Sequence, residues 1–489
     1  MDNPLKSPPE LSDIINLSLA YYIVIVNKKL YNNAIKQKGE TEMNVTLNVE
    51  KEYNCDVLVC GGGVAGFAAA VSAARNGADV ILVESGGYLG GTATKGLVGP
   101  FMTCYDREGK QQIIKGLFEE LVQRMVAEGG AIDHRFCRGG DSRSGYRTAG
   151  HIGVTPFNVE CLKRVTEQMC LESGVKLLYH TTIIGCHRED NIIKTVYAAD
   201  SEKIVAINGK MFVDTTGNAS LTAKAGGTTT RGDEEGFVQT SSMFFIISGV
   251  DKAKLDKHME ENSEMRARFF MDIFENGIES GEFPCGTLKL RIFENPDGTW
   301  TVNMAQNDEQ IDELDSEVVT DVEINQRQQI VKIVDFLRKN ITGLENISLL
   351  ATASDLGIRE SRRMAGKTVF CLEDILNGRF FEDRIAVCAN SVDVHQKKGV
   401  AYTPHSGGNY TIPLSCLVSK DIDNLISAGK CLSADKYAFA AVRVIPPSIA
   451  MGQAAGVCAS IAVKTGVDAG DVPYADVQKI LLENGAYLG

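Results

Sequence analysis

Gly61, Gly63 and Gly66 stand at G-x-G-x-x-G spacing between an apolar run, "CDVLVC", and an alanine-rich stretch, "AGFAAAVSAARNG". The first glycine of such a turn allows a tight bend, the second lets a phosphate approach the backbone, and the third lets helix and strand pack closely. The helix start, at Val64 and Ala65, offers free N–H groups to an anion. Glu84 ends the next apolar run, "ADVILVE", 21 residues after Gly63, where a carboxylate accepts from ribose hydroxyls and disfavours a 2′-phosphate. Strand, turn, helix and acid together predict a dinucleotide site. The glycine turn does not tell a nicotinamide from a flavin.

A second small-residue cluster lies near the other end of the chain, in "AVRVIPPSIAMGQAAG" (441–456). Pro446 and Pro447 suit the entry to a helix, and Gly452, Ala454, Ala455 and Gly456 allow something bulky to approach it. The positive end of such a helix stabilises negative charge placed before it. Arg443 precedes it, as a group for that site or as a structural ion pair. "GIRESRR" (357–363) brings Arg359 and Arg363 to one face at helical spacing, suited either to a substrate carboxylate or to hinge ion pairs. "NSVDVHQ" puts Asp393 and His395 on the same face of a strand, and "TPHSGGNYTIP" offers His405 and Tyr410 in a glycine-rich loop. His395 or His405 is the expected proton carrier, with Tyr410 as a further candidate.

Three stretches carry a resemblance. "ESGGYLGGTATKG" adds Ser85, Gly90, Gly91, Thr92 and Thr94 behind the acid. "FVDTTGNAS" ends a strand at Thr216 and Gly217, and "NLISAGKCLSADKYAFAAVRVIPPSIAMGQAAGVCASIA" ends one at Gly429 before the proline-led helix. Together they resemble bacterial FAD-dependent oxidoreductases with the glutathione-reductase type of FAD-binding fold, related to fumarate reductase and succinate dehydrogenase flavoproteins. This chain has Thr-Thr-Gly at 215–217 where Ala-Thr-Gly is usual there. The resemblance implies FAD held by all the residues just named, with Pro447, Gln453 and Ala454 at the flavin end. It also implies hydride transfer between flavin N5 and a small polar, hydroxylated or carboxylated, substrate, or fumarate-reductase-like reduction of an activated C=C. An FAD-dependent RNA-modifying protein and an electron-relay subunit are the other readings. An electron donor or acceptor is needed in each case, and the substrate is left open.

The elements that must position these groups follow from the pattern. Residues 54–84 read as a βαβ unit, which predicts a parallel sheet covered on both faces. Helices are expected over 111–128, over 156–172 with Pro156 in the first turn, and over 321–340. Short strands fill 174–218, and a hairpin turns at "NPDG" (295–298). The fold class is therefore α/β: a Rossmann-like FAD-binding domain interrupted by an α+β cap. The expected boundaries are an N-terminal extension at 1–52, the first part of the FAD domain at 53–230, the inserted cap or substrate domain at 231–355, and the return at 356–489. A polar linker at 32–44 and Met43 mark a possible functional start inside the extension.

Totals exclude several classes. The 489 residues suit two or three domains. Net charge is −13, and residues 231–330 alone hold 22 acidic and 9 basic side chains, so no basic stripe is left for nucleic acid. Thirteen cysteines without C-x-x-C spacing argue against a disulfide framework, an iron–sulfur cluster and a redox dithiol, and suit the cytoplasm. Seven histidines show no metal-binding spacing. The best candidate for a membrane span, at 14–26, is short and broken by Asn16 and Ser18, and it is poor as a secretion signal. Oligomeric state is left open.

Overall fold

Val57, Leu58, Val59 and Cys60 are all fully buried, as a strand covered on both faces requires. They close β1 (Thr46–Cys60), which starts well before Asn54, within the segment read as an extension. The structure, a computed structural model, describes residues 23–25, 46–146, 150–262, 270–396, 399–403 and 408–489. Most of the extension, including the polar linker and Met43, and also His405, lies outside the described residues.

The glycine turn leads from β1 into α1 (Val64–Arg75), and β2 (Val80–Val83) returns parallel to β1 with Val57 opposite Val80. α2 (Leu117–Ala127) and α3 (Val159–Glu172) follow. The α3 cap is Asn158, whose side chain accepts from the Cys161 amide at 3.0 Å. Pro156 therefore lies before the helix rather than in its first turn, because an Asx cap competes successfully for that end. β3 (Lys176–Leu178) joins the sheet in parallel beside β2; β4 (Thr182–Glu189), β5 (Ile192–Ala199) and β6 (Ile204–Asp214) form an antiparallel meander on its other side. The strand order is β3-β2-β1-β6-β5-β4, and β1 and β6 run parallel at its centre.

A second layered unit carries its own core of Phe245, Phe274, Trp300, Ile330 and Leu337. Its sheet has the order β8-β9-β7-β10, from β7 (Ser242–Ser248), β8 (Ile292–Glu294), β9 (Trp300–Gln306) and β10 (Ser348–Thr352). The turn between β8 and β9 is the expected one at 295–298, closed by the Asn295 amide on the Thr299 carbonyl at 2.8 Å. α4 (Ser316–Asn340) covers this sheet. It starts five residues earlier than expected because Asp315 caps it, accepting from the Glu317 amide at 2.8 Å.

The chain then returns. β11 (Val392–Gln396) and β12 (Gly399–Thr403) pair antiparallel, with His395 opposite Val400. β13 (Leu425–Ser427) re-enters the first sheet parallel to the end of β6, Leu425 opposite Phe212 and Ser427 opposite Asp214. β6 thus shares one edge between β5 at its start and β13 at its end. α5 (Lys436–Val442) and α6 (Ile445–Thr465) follow. α6 is apolar and long enough to cross a membrane by length alone, but nearly all of it is buried inside the protein. It crosses α1 closely. A Cβ on Gly452 would overlap the Ala65 carbonyl oxygen, and one on Gly456 would lie 2.9 Å from the Ala73 nitrogen. The Gly/Ala run in α6 is therefore a helix-crossing surface, a correction to its reading as room for a flavin.

Candidate functional site

The turn at 61–66 is built by contacts that allow no side chain. Gly61 has φ +103, and a Cβ there would sit 2.6 Å from the Thr215 carbonyl oxygen; one on Gly66 would overlap the Gly61 carbonyl and sit 2.7 Å from Thr215 Oγ1. Thr215 Oγ1 donates to the Cys60 and Gly61 carbonyls at 2.9 and 2.7 Å, locking β6 to the turn. Gly63 differs: a Cβ on it would meet nothing within 4 Å, so its bare Cα faces open space. α1 begins there with no side-chain cap and no acidic residue in its first turn. Its positive end is thus left for an anion.

Glu84 closes the other side of the turn. One carboxylate oxygen accepts from the Gly62 amide at 2.7 Å; the other accepts from the Gly86 amide at 2.7 Å and from Lys95 Nζ at 2.6 Å. Although burial opposes ionisation, Lys95 and the two amides hold this carboxyl below its ordinary range. Gly90 (φ +105) donates its amide to the Gly62 carbonyl at 2.9 Å, and Thr94 Oγ1 donates to the Leu89 carbonyl at 2.7 Å. Across the sheet, fully buried Asp214 accepts from Thr216 Oγ1 and Thr222 Oγ1, each at 2.7 Å, and fixes the strand end.

These elements enclose a cavity of about 400 Å³, within the size range of small-molecule and cofactor sites. Gly61, Gly63, Val64, Ala65, Glu84, Ser85, Gly91, Thr92, Thr216, Gly217 and Gly429 all line it, as expected from sequence. Gly66, Gly90 and Thr94 shape the turns behind that wall. The inserted unit contributes Glu313, Val319, Glu323 and Asp355. Glu313 is held by Arg231 Nε at 2.9 Å and Ser361 Oγ at 2.8 Å.

At the α6 end the expectation needs correction. Ile445 and Ser448 line the cavity, whereas Pro447, Gln453 and Ala454 do not. Gln453 Oε1 accepts from the Leu117 amide at 3.0 Å and caps α2, and Ala454 is fully buried in the helix crossing. Pro446 and Pro447 occupy the first turn, where proline costs no intrahelical bond but also removes two N–H donors. The first helical bond runs from the Ser448 amide to the Val444 carbonyl at 3.1 Å.

A second cavity of about 430 Å³ shares Thr92, Ile358, Lys430, Arg443 and Ile445 with the first. Its wall carries Lys289, Arg291, Arg359, Lys430 and Arg443 and, among the described residues, one carboxylate, Asp393, with His151 and His395 beside them. Arg359 is buried and donates to neutral acceptors, the Thr240 carbonyl at 2.6 Å and Ser242 Oγ at 2.9 Å. Burial and the neighbouring Arg443 pull its pKa down to about 9, which still leaves it charged at neutral pH. Arg443 donates to Gln239 Oε1 at 3.3 Å and the Asp393 carbonyl at 3.2 Å, and its guanidinium lies 3.8 Å from the Asp393 carboxylate.

Asp393 and His395 do share a face of β11, with His395 Nε2 3.4 Å from the carboxylate. Burial opposes ionisation of Asp393, but His395, Arg443 and Arg359 hold it well below the usual carboxylate range. Burial and then Arg359 pull His395 down to about 3, so it is neutral at pH 7. His151 Nδ1 lies 2.6 Å from the Ser144 carbonyl. A carbonyl only accepts, so Nδ1 carries a proton.

Other expectations fail. "GIRESRR" is extended rather than helical, so Arg359 and Arg363 share no helical face. Arg363 pairs with Glu360 and donates to the Gly232 carbonyl at 2.8 Å, inside the protein. Tyr410 is fully buried and its hydroxyl donates to the Asn390 carbonyl at 2.9 Å, beside Phe370; it lines neither cavity. Lys430, His151 and Arg291 were not anticipated. Lys430 follows Gly429 directly in a quoted motif, and that adjacency was the available signal; nothing in the sequence ties His151 or Arg291 to residues hundreds of positions away.

The solved structures similar to this chain include a geranylgeranyl bacteriochlorophyll reductase-like protein from Thermoplasma acidophilum, 13% identical, covering 89% of this chain and 85% of that one with a TM-score of 0.44. Another is p-nitrophenol 4-monooxygenase PnpA from Pseudomonas putida DLL-E4, 12% identical, covering 89% and 87% with a TM-score of 0.43. A third is the myxobacterial chondrochloren halogenase CndH, 12% identical, covering 88% and 78% with a TM-score of 0.43. No curated protein matches the chain. The family described as FAD dependent oxidoreductase matches residues 56–481, which span the glycine turn, Glu84, both cavities and α6, and the chain belongs to that family.

Proposed function

We propose that the protein oxidises a small hydroxylated carboxylate, bound in the second cavity, at the expense of FAD bound in the first. The observation that carries this reading is the shared wall of the two cavities, where Lys430 and Arg443 stand on the seam and Arg359 faces the second, with Asp393 as the one lining carboxylate among the described residues. FAD supplies two-electron chemistry as a hydride acceptor. The rest falls to the chain. Gly61, Gly63 and the start of α1 would hold the phosphates, Glu84 the ribose, and Thr216, Gly217 and Gly429 the middle of the cofactor.

Arg359 and Arg443 bind the substrate carboxylate. A guanidinium already satisfied by neutral acceptors keeps its charge for a ligand, and its planar fork suits two parallel bonds. His151 takes the hydroxyl proton at Nε2 while its Nδ1–H stays on Ser144. His395 stays neutral and orients Asp393, which balances the arginines without neutralising them all. The thirteen free thiols, most of them buried, suit a reducing compartment, and we place the protein in the cytoplasm. A separate electron acceptor reoxidises the cofactor.

The test is anaerobic. The purified yellow protein is mixed with 2-hydroxycarboxylates and with matched alcohols lacking the carboxylate, and flavin bleaching is followed. Bleaching by the hydroxy acids alone supports the reading. Equal bleaching by the plain alcohols sinks it, and so does a reduced protein that is reoxidised by unsaturated carboxylates but never reduced by hydroxy acids.

A further inference from the structure

Two cationic side chains stand on the seam between the cavities, Lys430 and Arg443. Arg443 has Asp393 nearby at 3.8 Å. Lys430 has no carboxylate within 4.0 Å among the described residues; its Nζ donates to the Ile358 carbonyl at 2.8 Å. Protein surrounds it, and the surface it retains belongs to the cavities. A half-buried ammonium on a cavity wall without a counter-ion is costly unless something else supplies negative charge.

The usual source of positive charge at this place is also weakened here. Pro446 and Pro447 remove two N–H donors from the first turn of α6, so that helix end has less to offer an anion. Backbone geometry aims Lys430 instead. Gly429 has φ +66 and so turns the chain at the end of β13, and the lysine stem runs past Gly217, where a Cβ would lie 3.3 Å from Lys430 Cε. A larger residue at 217 would crowd that stem.

We propose that Lys430 is the charge partner of the reduced cofactor, the fixed cation that stabilises the negative charge arriving with the hydride and so sets the reduction potential of bound FAD. This rests on FAD occupying the first cavity and is independent of which substrate enters the second. It makes Lys430 a residue of the cofactor site with a thermodynamic role. His151 handles the substrate proton and Lys430 the charge left on the cofactor.

Burial pulls Lys430 down to about 8; Arg443 acts in the same direction, while Glu313 opposes it. The Cys431 thiol is itself pushed up to about 12, by burial and then Asp214, and stays neutral. Glu313 is tied to Arg231 and Ser361. Arg359 sits next to Ile358, the acceptor of Lys430. Negative charge on the cofactor raises the affinity of Lys430 for its proton. Above pH 8, reduction therefore draws one extra proton onto Lys430. The potential then falls more steeply with pH than below 8.

The experiment measures the midpoint potential of the FAD-loaded protein by anaerobic reductive titration against a reference dye. Three proteins are compared: wild type, Lys430→Met and Lys430→Arg. The removal of the charge in Lys430→Met is expected to lower the preference for reduced over oxidised FAD at least tenfold, about 30 mV for a two-electron couple. Lys430→Arg is expected to restore most of it. In the wild type the slope is expected to steepen above about pH 8 by one further proton per two electrons, about 30 mV per tenfold change in proton activity. The wild-type slope also serves if Lys430→Met does not retain FAD. A yellow Lys430→Met protein with the wild-type potential overturns the proposal, as does a wild-type slope that stays constant from pH 6 to 10. A colourless wild type that takes up no FAD would instead refute the cofactor assignment on which it rests.

Discussion

Gly63 and Gly66 are three residues apart in one motif, yet the structure gives them opposite liabilities. A Cβ on Gly66 overlaps the Gly61 carbonyl oxygen and lies 2.7 Å from Thr215 Oγ1, so α1 must back away from the turn to accept it. Overpacking a well-filled site against backbone costs about 1–3 kcal/mol or more, and Gly66→Ala is expected to lose about 3 kcal/mol of apoprotein stability. Gly63 has φ −62 and ψ 177, which any residue adopts, and open space around its would-be Cβ. Gly63→Val is therefore expected to change apoprotein stability by no more than about 0.5 kcal/mol. Its side chain projects into the cavity and holds the phosphates off the first-turn amides. The loss of two charge-assisted hydrogen bonds at roughly 1.5–3 kcal/mol each weakens FAD by about 100-fold or more. The assay pairs urea unfolding of the apoproteins with FAD titration followed by absorbance. A Gly63→Val protein that purifies with a full complement of FAD at wild-type affinity would refute the reasoning, as would one whose apoprotein falls as far as Gly66→Ala.

Four further outcomes are expected. Arg359→Lys replaces a planar fork by a point charge and should weaken carboxylate binding about 10–100-fold, read from ligand perturbation of the flavin spectrum; an unchanged affinity removes Arg359 from the substrate site. His151→Gln should slow anaerobic flavin reduction about 10²–10⁴-fold while leaving carboxylate affinity near wild type, measured by stopped flow. His395 has its pKa drawn from 6.5 down to about 3, so the unfolded chain takes up a proton below pH 6.5 that the native state refuses. Stability should therefore fall between about pH 6.5 and 3, and His395→Gln should flatten that acid limb in urea titrations across pH. Gln453→Ala removes the cap on α2 and should cost about 1 kcal/mol with FAD affinity unchanged; a colourless Gln453→Ala protein would return Gln453 to the cofactor site.

The glycine turn was readable from sequence because its geometry is local. Three glycines, a strand and an acid lie within thirty residues, and each contact they make is dictated by a turn or a helix start. The flavin end was legible only as a neighbourhood. "AVRVIPPSIAMGQAAG" pointed to Arg443, which lines both cavities, but its small residues serve a helix crossing, and sequence cannot tell room for a ligand from room for another backbone. Tyr410 failed for a related reason: a glycine-rich loop beside it says nothing about a side chain that turns inward toward Phe370. The second cavity assembles His151, Arg291, Arg359 and Arg443 from four distant segments through tertiary packing. No spacing rule reaches across such distances. Even there Asp393 and His395 were paired correctly, since strand alternation puts residues two apart on one face.

The divided edge of β6 has a consequence for how the protein is made. Its end is completed by β13, more than two hundred residues later, and α1 is covered by α6, later still. Domains tend to fold in order as they leave the ribosome, but this one cannot. Until residue 465 has emerged, the glycine turn lacks Gly429, Lys430 and the helix that packs on α1. The apolar surface of α1 must wait uncovered while the intervening residues are synthesised. A chain cut before β13 is therefore expected to leave the sheet open and the cavity without Gly429 and Lys430.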